Sequence, residues 1–275
     1  MFLGGVFLLD YLKDIVKEIC DENNIKYTFL SRDWIIKLER DGKYAHLVGG
    51  RFSINSITAS TIASDKYATY EVLKNAGIPI IEHKMIFNPK YREGFSSDFS
   101  SMDEILVYLG QQPNNKVIVK ANKGSSGNDV YLCESLKEIE DVISKIFIDK
   151  ESLSICPFYD ISTEYRVIYL DGECRLIYGK KASEGNFKHN LSQGARVVEV
   201  EDEKLKEKLR EIAIKASKEI GLRFASVDII ELTSGELLVI EVNSGVTINK
   251  YTDFVENGRE IAKNIYAEVI EKMLI

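Results

Sequence analysis

Histidine and cysteine are scarce in this chain, at three and four of 275 residues, and neither is clustered. Cys20, Cys133, Cys156 and Cys174 stand far apart without CxxC spacing, which argues against a zinc ribbon or a disulfide frame and fits reduced thiols in the cytoplasm. His46, His83 and His189 form no pair at metal-ligand spacing, so a histidine-built metal centre is not expected. There is no low-complexity run and no internal repeat, and the four prolines are dispersed. An excess of basic residues is also missing: the net charge of −7 argues against a nucleic-acid partner, although a local basic pocket can still hold a nucleotide. Finally, no apolar run is long enough for a membrane span. The opening MFLGGVFLLDYL has no basic leader and is broken by Asp10, so it reads as a buried segment leading into a helix.

What remains is a chain with 45% apolar and 29% charged residues, the balance of a soluble globular protein with more than one lobe. Apolar residues from Leu8 onward recur at helical spacing up to Cys20, and 27–30 reads as a strand, together a short α/β cap. Trp34 is expected in the core. The glycine- and serine-rich stretch 49–60 reads as a crossover loop that closes this first unit. In SDKYATYEVLKNAGIPII, Ser64 or Asp65 caps a helix that Gly77 and Pro79 stop, which puts Lys66 in its first turn. A lysine there is usually just solvated and becomes interesting only if an anion docks beside it.

The stretch KVIVKANKGSSGNDVYLC reads as strand, loop, strand, with Lys120 closing the first strand. Gly124, Ser125, Ser126 and Gly127 form a loop whose N–H groups and hydroxyls suit phosphate oxygens, but a plain polar hairpin explains it about as well. It is not a Walker loop, for it lacks GK[ST] and a strand follows. A helix over 136–147 leads to three strands, the last two joined by Asp171 and Gly172, with Pro157 suggesting an edge or hinge in the first. Glu164, Arg166 and Lys180 are polar residues on apolar strands, a pattern that solvent-facing alternation commonly explains. The polar loop EGNFKHNLSQGARV, with His189 and Asn190, precedes a helix over 203–220 with one apolar stripe.

The stretch ASVDIIELTSGELLVIEVN, residues 225–243, reads as two strands joined by a tight turn at Ser234 and Gly235. Counting back from a two-residue turn sets Asp228 opposite Glu241, and side-chain alternation adds Asn243 to that face. Opposed acids on an apolar sheet destabilise it unless neutralised, and hard oxygen donors suit Mg²⁺.

In sequence order these pieces resemble the ATP-grasp superfamily, and within it the RimK-like and cyanophycin-synthetase-like ligases, from about residue 49 to the end. DKYATYEVLKNAGIPI is similar to the family's DK…LL…AGIP segment, VIVKANKGSSGNDV to its VVKP…GSGGxGV loop and TEYRV to its GxDxRV strand. KKASEGNFKHNLSQGA resembles its R(x)4GxFxxN(x)3GG run, and SVDII…LLVIEVNS its GVD…EVN end. The resemblance implies an α+β, ATP-grasp fold: a short α/β cap at 1–60, then two α+β lobes at 61–155 and 156–275 that clasp a nucleotide. It implies that Lys66 and Lys120 hold ATP phosphates under the loop Gly124, Ser125, Ser126 and Gly127. The backbone of 155–159, Cys156 and Phe158 included, would read adenine and Glu164 the ribose. Asp228, Glu241 and Asn243 would ligate Mg²⁺, with Mn²⁺ as the alternative, and Arg166, Lys180 and Asn190 would surround the γ-phosphate and acyl site. The implied reaction is ADP-forming carboxylate–amine ligation through an acyl phosphate, on an amino acid or peptide.

Three features depart from the family pattern. Lys180 stands where arginine is usual, giving up a bidentate fork. SGVTINKY replaces the usual continuation to a P-G pair after Asn243, and the cap of about 60 residues is short against a usual domain of about 100. Substrate-selecting surface is then either missing or supplied by a second subunit of a homo-oligomer. A kinase-like phosphotransferase and a non-catalytic nucleotide-binding module are the competing readings.

Overall fold

The computed structural model describes residues 3–91, 96–124, 128–183, 189, 191 and 194–275, with side chains described from residue 10 onward. The first helix, α1 (Leu3–Glu22), packs against an antiparallel sheet made of β1 (Lys26–Leu30), β2 (Ile35–Arg40), β3 (Lys43–Val48) and β4 (Arg51–Phe52), in that spatial order. Trp34 is not core as expected: it is 45% exposed, because its ring lies over Gly49, where a Cβ would sit 2.4 Å from it. The stretch expected as one loop contains β4 and the start of α2 (Ile57–Ser64), which Ser56 caps through the Ala59 N–H. In α3 (Lys66–Asn75), Asp65 is the cap, accepting from the Ala68 N–H, so Lys66 opens the helix as expected.

The second sheet has the order β5 (Lys84–Phe87), β8 (Ser152–Pro157), β6 (Val117–Ala121), β7 (Val130–Cys133), with α4 (Met102–Gln111) and α5 (Leu136–Ile146) on one face. Val117, Val119, Ala121, Leu153 and Ile155 face those helices. Alternation therefore turns Ile118, Lys120, Ser154 and Cys156 to the other face. Pro157 does not mark an edge strand: β8 is interior, and the proline is tolerated as its last residue, past the end of its pairing with β5.

The third sheet runs β11 (Arg196–Val198), β10 (Glu173–Lys181), β9 (Ile161–Leu170), β12 (Phe224–Leu232), β13 (Leu237–Asn243), all antiparallel. Its Tyr165, Val167, Val227 and Ile229 pack under the apolar stripe of α6 (Glu203–Ile220), which ends at left-handed Gly221. The opposite face carries Glu164, Arg166, Lys180 and Asp228, and its far end merges into the core of the N-terminal sheet through Ile168, Leu170, Tyr178 and Phe224. After the short α7 (Asn249–Thr252), α8 (Gly258–Met273) joins that same core.

The expected division at 60/61 and 155/156 cuts through α2 and β8, and Leu73 of α3 is buried with the third sheet. No helix among the described residues is long and apolar enough to cross a membrane.

Candidate functional site

Asp228 and Glu241 are cross-strand partners, as counted from the sequence, but by a different route. The turn is not the two-residue type: Leu232 pairs with Glu236, leaving Thr233, Ser234 and Gly235 between them, with Gly235 at φ 86°. This moves the register by one residue, and an irregularity between Asp228 and Ile229, where Ile240 is left extra on β13, moves it back. Asn243 joins the pair, its Nδ2 donating to Glu241 Oε1 at 3.0 Å and to Asp228 Oδ2 at 3.3 Å.

Asp228 is 1% exposed and sits beneath that amide. Arg166, its direct neighbour on β9, donates to it from Nε at 2.9 Å and Nη2 at 2.7 Å, and Lys180 Nζ from 2.8 Å. Lys180 also donates to Glu164, its partner across β9 and β10. These polar strand residues are thus not solvent-facing: Lys180 is 2% and Glu164 9% exposed. Burial opposes the charged form of Asp228, yet the Arg166 and Lys180 cations hold its carboxyl far below the ordinary range. Burial and Arg166 likewise work against the Lys180 ammonium, but Asp228 and Glu164 outweigh them and hold it above its usual value. Arg166 is held up in the same way, against burial, by Asp228. Both cations are therefore fixed positive charges rather than proton carriers.

Above this network lies an open cleft of about 520 Å³, lined on one wall by Glu241, Asn243, Ser244 and Gly245 and on others by Lys66, Lys123, Gly124 and Arg51. Lys66 Nζ donates to the Gly124 carbonyl at 3.1 Å. Burial lowers its pKa, Glu241 raises it and Lys120 lowers it again, with a net fall. Lys120 is buried on the inner face of β6, beside Ser154, its partner on β8. Cys156 is buried next along that face, and the Phe158 N–H donates to the Lys116 carbonyl at 3.3 Å. Ser125, Ser126, Gly127 and Asn190 lie outside the described residues. His189 is buried, with Nδ1 donating to the Lys180 carbonyl at 3.0 Å, a positioning contact for that strand end.

Sequence reasoning missed Asn122 and weighed His83 only as a metal ligand. Asn122 is fully buried, accepts from the Tyr67 N–H through Oδ1 at 3.0 Å and from the Lys66 N–H through its carbonyl at 3.3 Å. It ties the start of α3 to the end of β6, so the backbone at Lys66 is held two residues from Lys120 through one asparagine. Its place two residues after Lys120, before the glycine loop, was the available signal. Buried His83 bonds Ser154 Oγ through Nδ1 at 3.0 Å; burial first, then Lys120 and Lys66, drive its pKa well below the ordinary value.

The donor set fits a divalent ion in part. Among the described residues no group of three His, Cys, Asp or Glu side chains is placed to hold a metal. Glu241 and Asn243 are the donors that face the cleft, and Asp228 is engaged by two cations.

A RimK-like ATP-grasp domain model matches residues 63–270. The chain belongs to the RimK-like ATP-grasp family. It is 28% identical over 227 residues to a protein of Psychromonas ingrahamii named "Probable alpha-L-glutamate ligase", covering 82% of this chain and 68% of that one. A second so named, from Thioalkalivibrio sulfidiphilus, is 29% identical over 71% of this chain and 60% of its own length. The chain thus spans about two thirds of the length of these relatives. Its fold is that of the D-alanine–D-alanine ligase from Bacillus anthracis solved with ATP: TM-score 0.58, 19% identity, 80% of this chain and 67% of that one. Arg51 and the whole N-terminal sheet fall outside the family match.

Proposed function

We propose that this ATP-dependent, ADP-forming carboxylate–amine ligase uses the cleft to join L-glutamate, by an amide bond, to an amino acid or peptide. The gathering of Lys66, Lys123 and Gly124 in one cleft with Glu241 and Asn243, the last of which bonds the Asp228 that Arg166 and Lys180 hold, carries the reading. L-glutamate comes from the names of the relatives.

Lys66 and Lys120 would bind the phosphates, an anion there restoring the charge that burial disfavours on Lys66. Arg166 and Lys180 keep their protons at any physiological pH, so their part is to stabilise negative charge on the transferring phosphoryl group. Glu241 and Asn243 would hold a divalent cation, Mg²⁺ in our reading, with Asp228 joining by giving up one cationic partner. When bound, such an ion neutralises phosphate charge. Four free cysteines, three of them buried, suit the reducing cytoplasm, where ATP is abundant.

The test is product analysis with MgATP, L-glutamate and a panel of amino acids and dipeptides. ADP and phosphate are expected only when a carboxylate and an amine are both present, with an amide found by mass spectrometry. A phosphorylated acceptor without amide would make the protein a phosphotransferase, and no turnover with any pair would favour a binding module.

A further inference from the structure

Arg51 reaches the cleft from the N-terminal sheet, outside the family match. Its neighbour Phe52 is 4% exposed and locked in the core, stacked on Tyr266 at 5.5 Å and edge-on to Phe224 at 5.3 Å. Side chains alternate along a strand, so anchoring Phe52 inward turns Arg51 outward, to the cleft. The backbone of Arg51 bridges Gly245, and its stem passes 3.6 Å from where a Cβ on Gly245 would be. That loop, two residues past Asn243, is where the chain departs from the usual family sequence. Its glycine leaves room for the arginine to lie across it.

Among the described residues no acid pairs with the charge of Arg51. Among the described residues, Arg40, Arg166, Arg175, Arg210, Arg223 and Arg259 each hold an acid within ion-pair distance, while Arg32 and Arg196, neither of which lines this cleft, hold none. Arg51 holds none among the described residues, and the one acid lining the cleft, Glu241, is engaged by Asn243. Lys66 and Lys123 stand beside Gly124, on the wall assigned to the phosphates, whereas Arg51 stands on the wall made by the N-terminal sheet and the 244–247 loop. An arginine fork on a strand pinned by Phe52, facing the cleft with no acid paired to it among the described residues, suits a planar carboxylate.

We propose that Arg51 is a specificity-determining residue that pairs a carboxylate of the amino-acid substrate not consumed in ligation; this rests on the ligase reading above. The substrate class is then a free amino acid with its spare carboxylate ionised. Isothermal titration tests it, first with Mg²⁺ and the nonhydrolysable analogue AMP-PNP, then with L-glutamate added to the loaded protein. Glutamate binding is expected to weaken at least about 30-fold in Arg51→Ala and less in Arg51→Lys, with AMP-PNP affinity within about twofold of wild type. The proposal is overturned if Arg51→Ala takes glutamate as wild type does, if wild type does not bind it, if glutamate dimethyl ester binds as tightly, or if AMP-PNP affinity falls instead. Failure of the wild-type protein to bind AMP-PNP would sink the ligase reading itself, a result separable from the others.

Discussion

At Asp228 one buried carboxylate pairs with half-buried Arg166 and with buried Lys180, which Glu164 also holds. Asp228→Asn leaves Arg166 and Lys180 without that counter-charge and is expected to cost about 3 kcal/mol of stability, read as a lower urea midpoint. Glu241 faces the cleft and carries no such structural charge balance. Glu241→Gln should therefore leave the urea midpoint nearly unchanged while lowering kcat at least about 100-fold; wild-type turnover would remove Glu241 from the site. His83 gives a pH signature. Its folded pKa lies well below its unfolded value near 6.5, so the unfolded chain takes the proton first as pH falls. Stability held above pH ~6.5 is then lost below it at up to about 1.4 kcal/mol per pH unit. Subtracting the urea curve of His83→Gln between pH 7.5 and 5 isolates that slope. Single residues were only partly readable in the sequence. The Asp228 and Glu241 pairing could be counted, but the use of Glu164, Arg166 and Lys180 could not, because alternation says which residues share a face and not whether that face is covered.

Helix and strand assignments were legible where local chemistry decides them. The Asp65 cap, the Asp171–Gly172 turn with both residues at positive φ, and Gly221 at the end of α6 are written in single residues. Asp65→Ala removes the cap at the helix that opens with Lys66, and a loss of about 1 kcal/mol in stability is expected from urea unfolding. What stayed hidden was non-local. The three-residue turn and the extra Ile240 cancel in register, and the interior position of β8 depends on where β5 lies, which its own sequence does not encode. Packing of α7 on α8 was also invisible: a Cβ on Gly258 would meet the Thr252 Cα at 2.8 Å, a backbone atom that cannot swing aside. Gly258→Ala should cost about 1–3 kcal/mol by overpacking, measured as a drop in Tm.

For the whole molecule, the order of motifs was the strongest signal, since it fixed the α+β ATP-grasp architecture that the solved relatives share. The cap was the least legible part. It shares a core with β9, β10, β12 and α8, so the cap is built into the third sheet's packing rather than carried as an appendage. This packing brings Arg51 to the same cleft as Glu241 and Lys66. The central claim is that this cleft activates a carboxylate by phosphorylating it, and isotope transfer reads that step directly. With L-glutamate, its amine or carboxylate partner and MgATP, the carboxylate oxygens of the activated substrate are labelled with ¹⁸O and the released phosphate is examined by ³¹P NMR. The account predicts phosphate carrying one ¹⁸O, formed together with ADP and the amide. Unlabelled phosphate, or AMP with pyrophosphate, would contradict it.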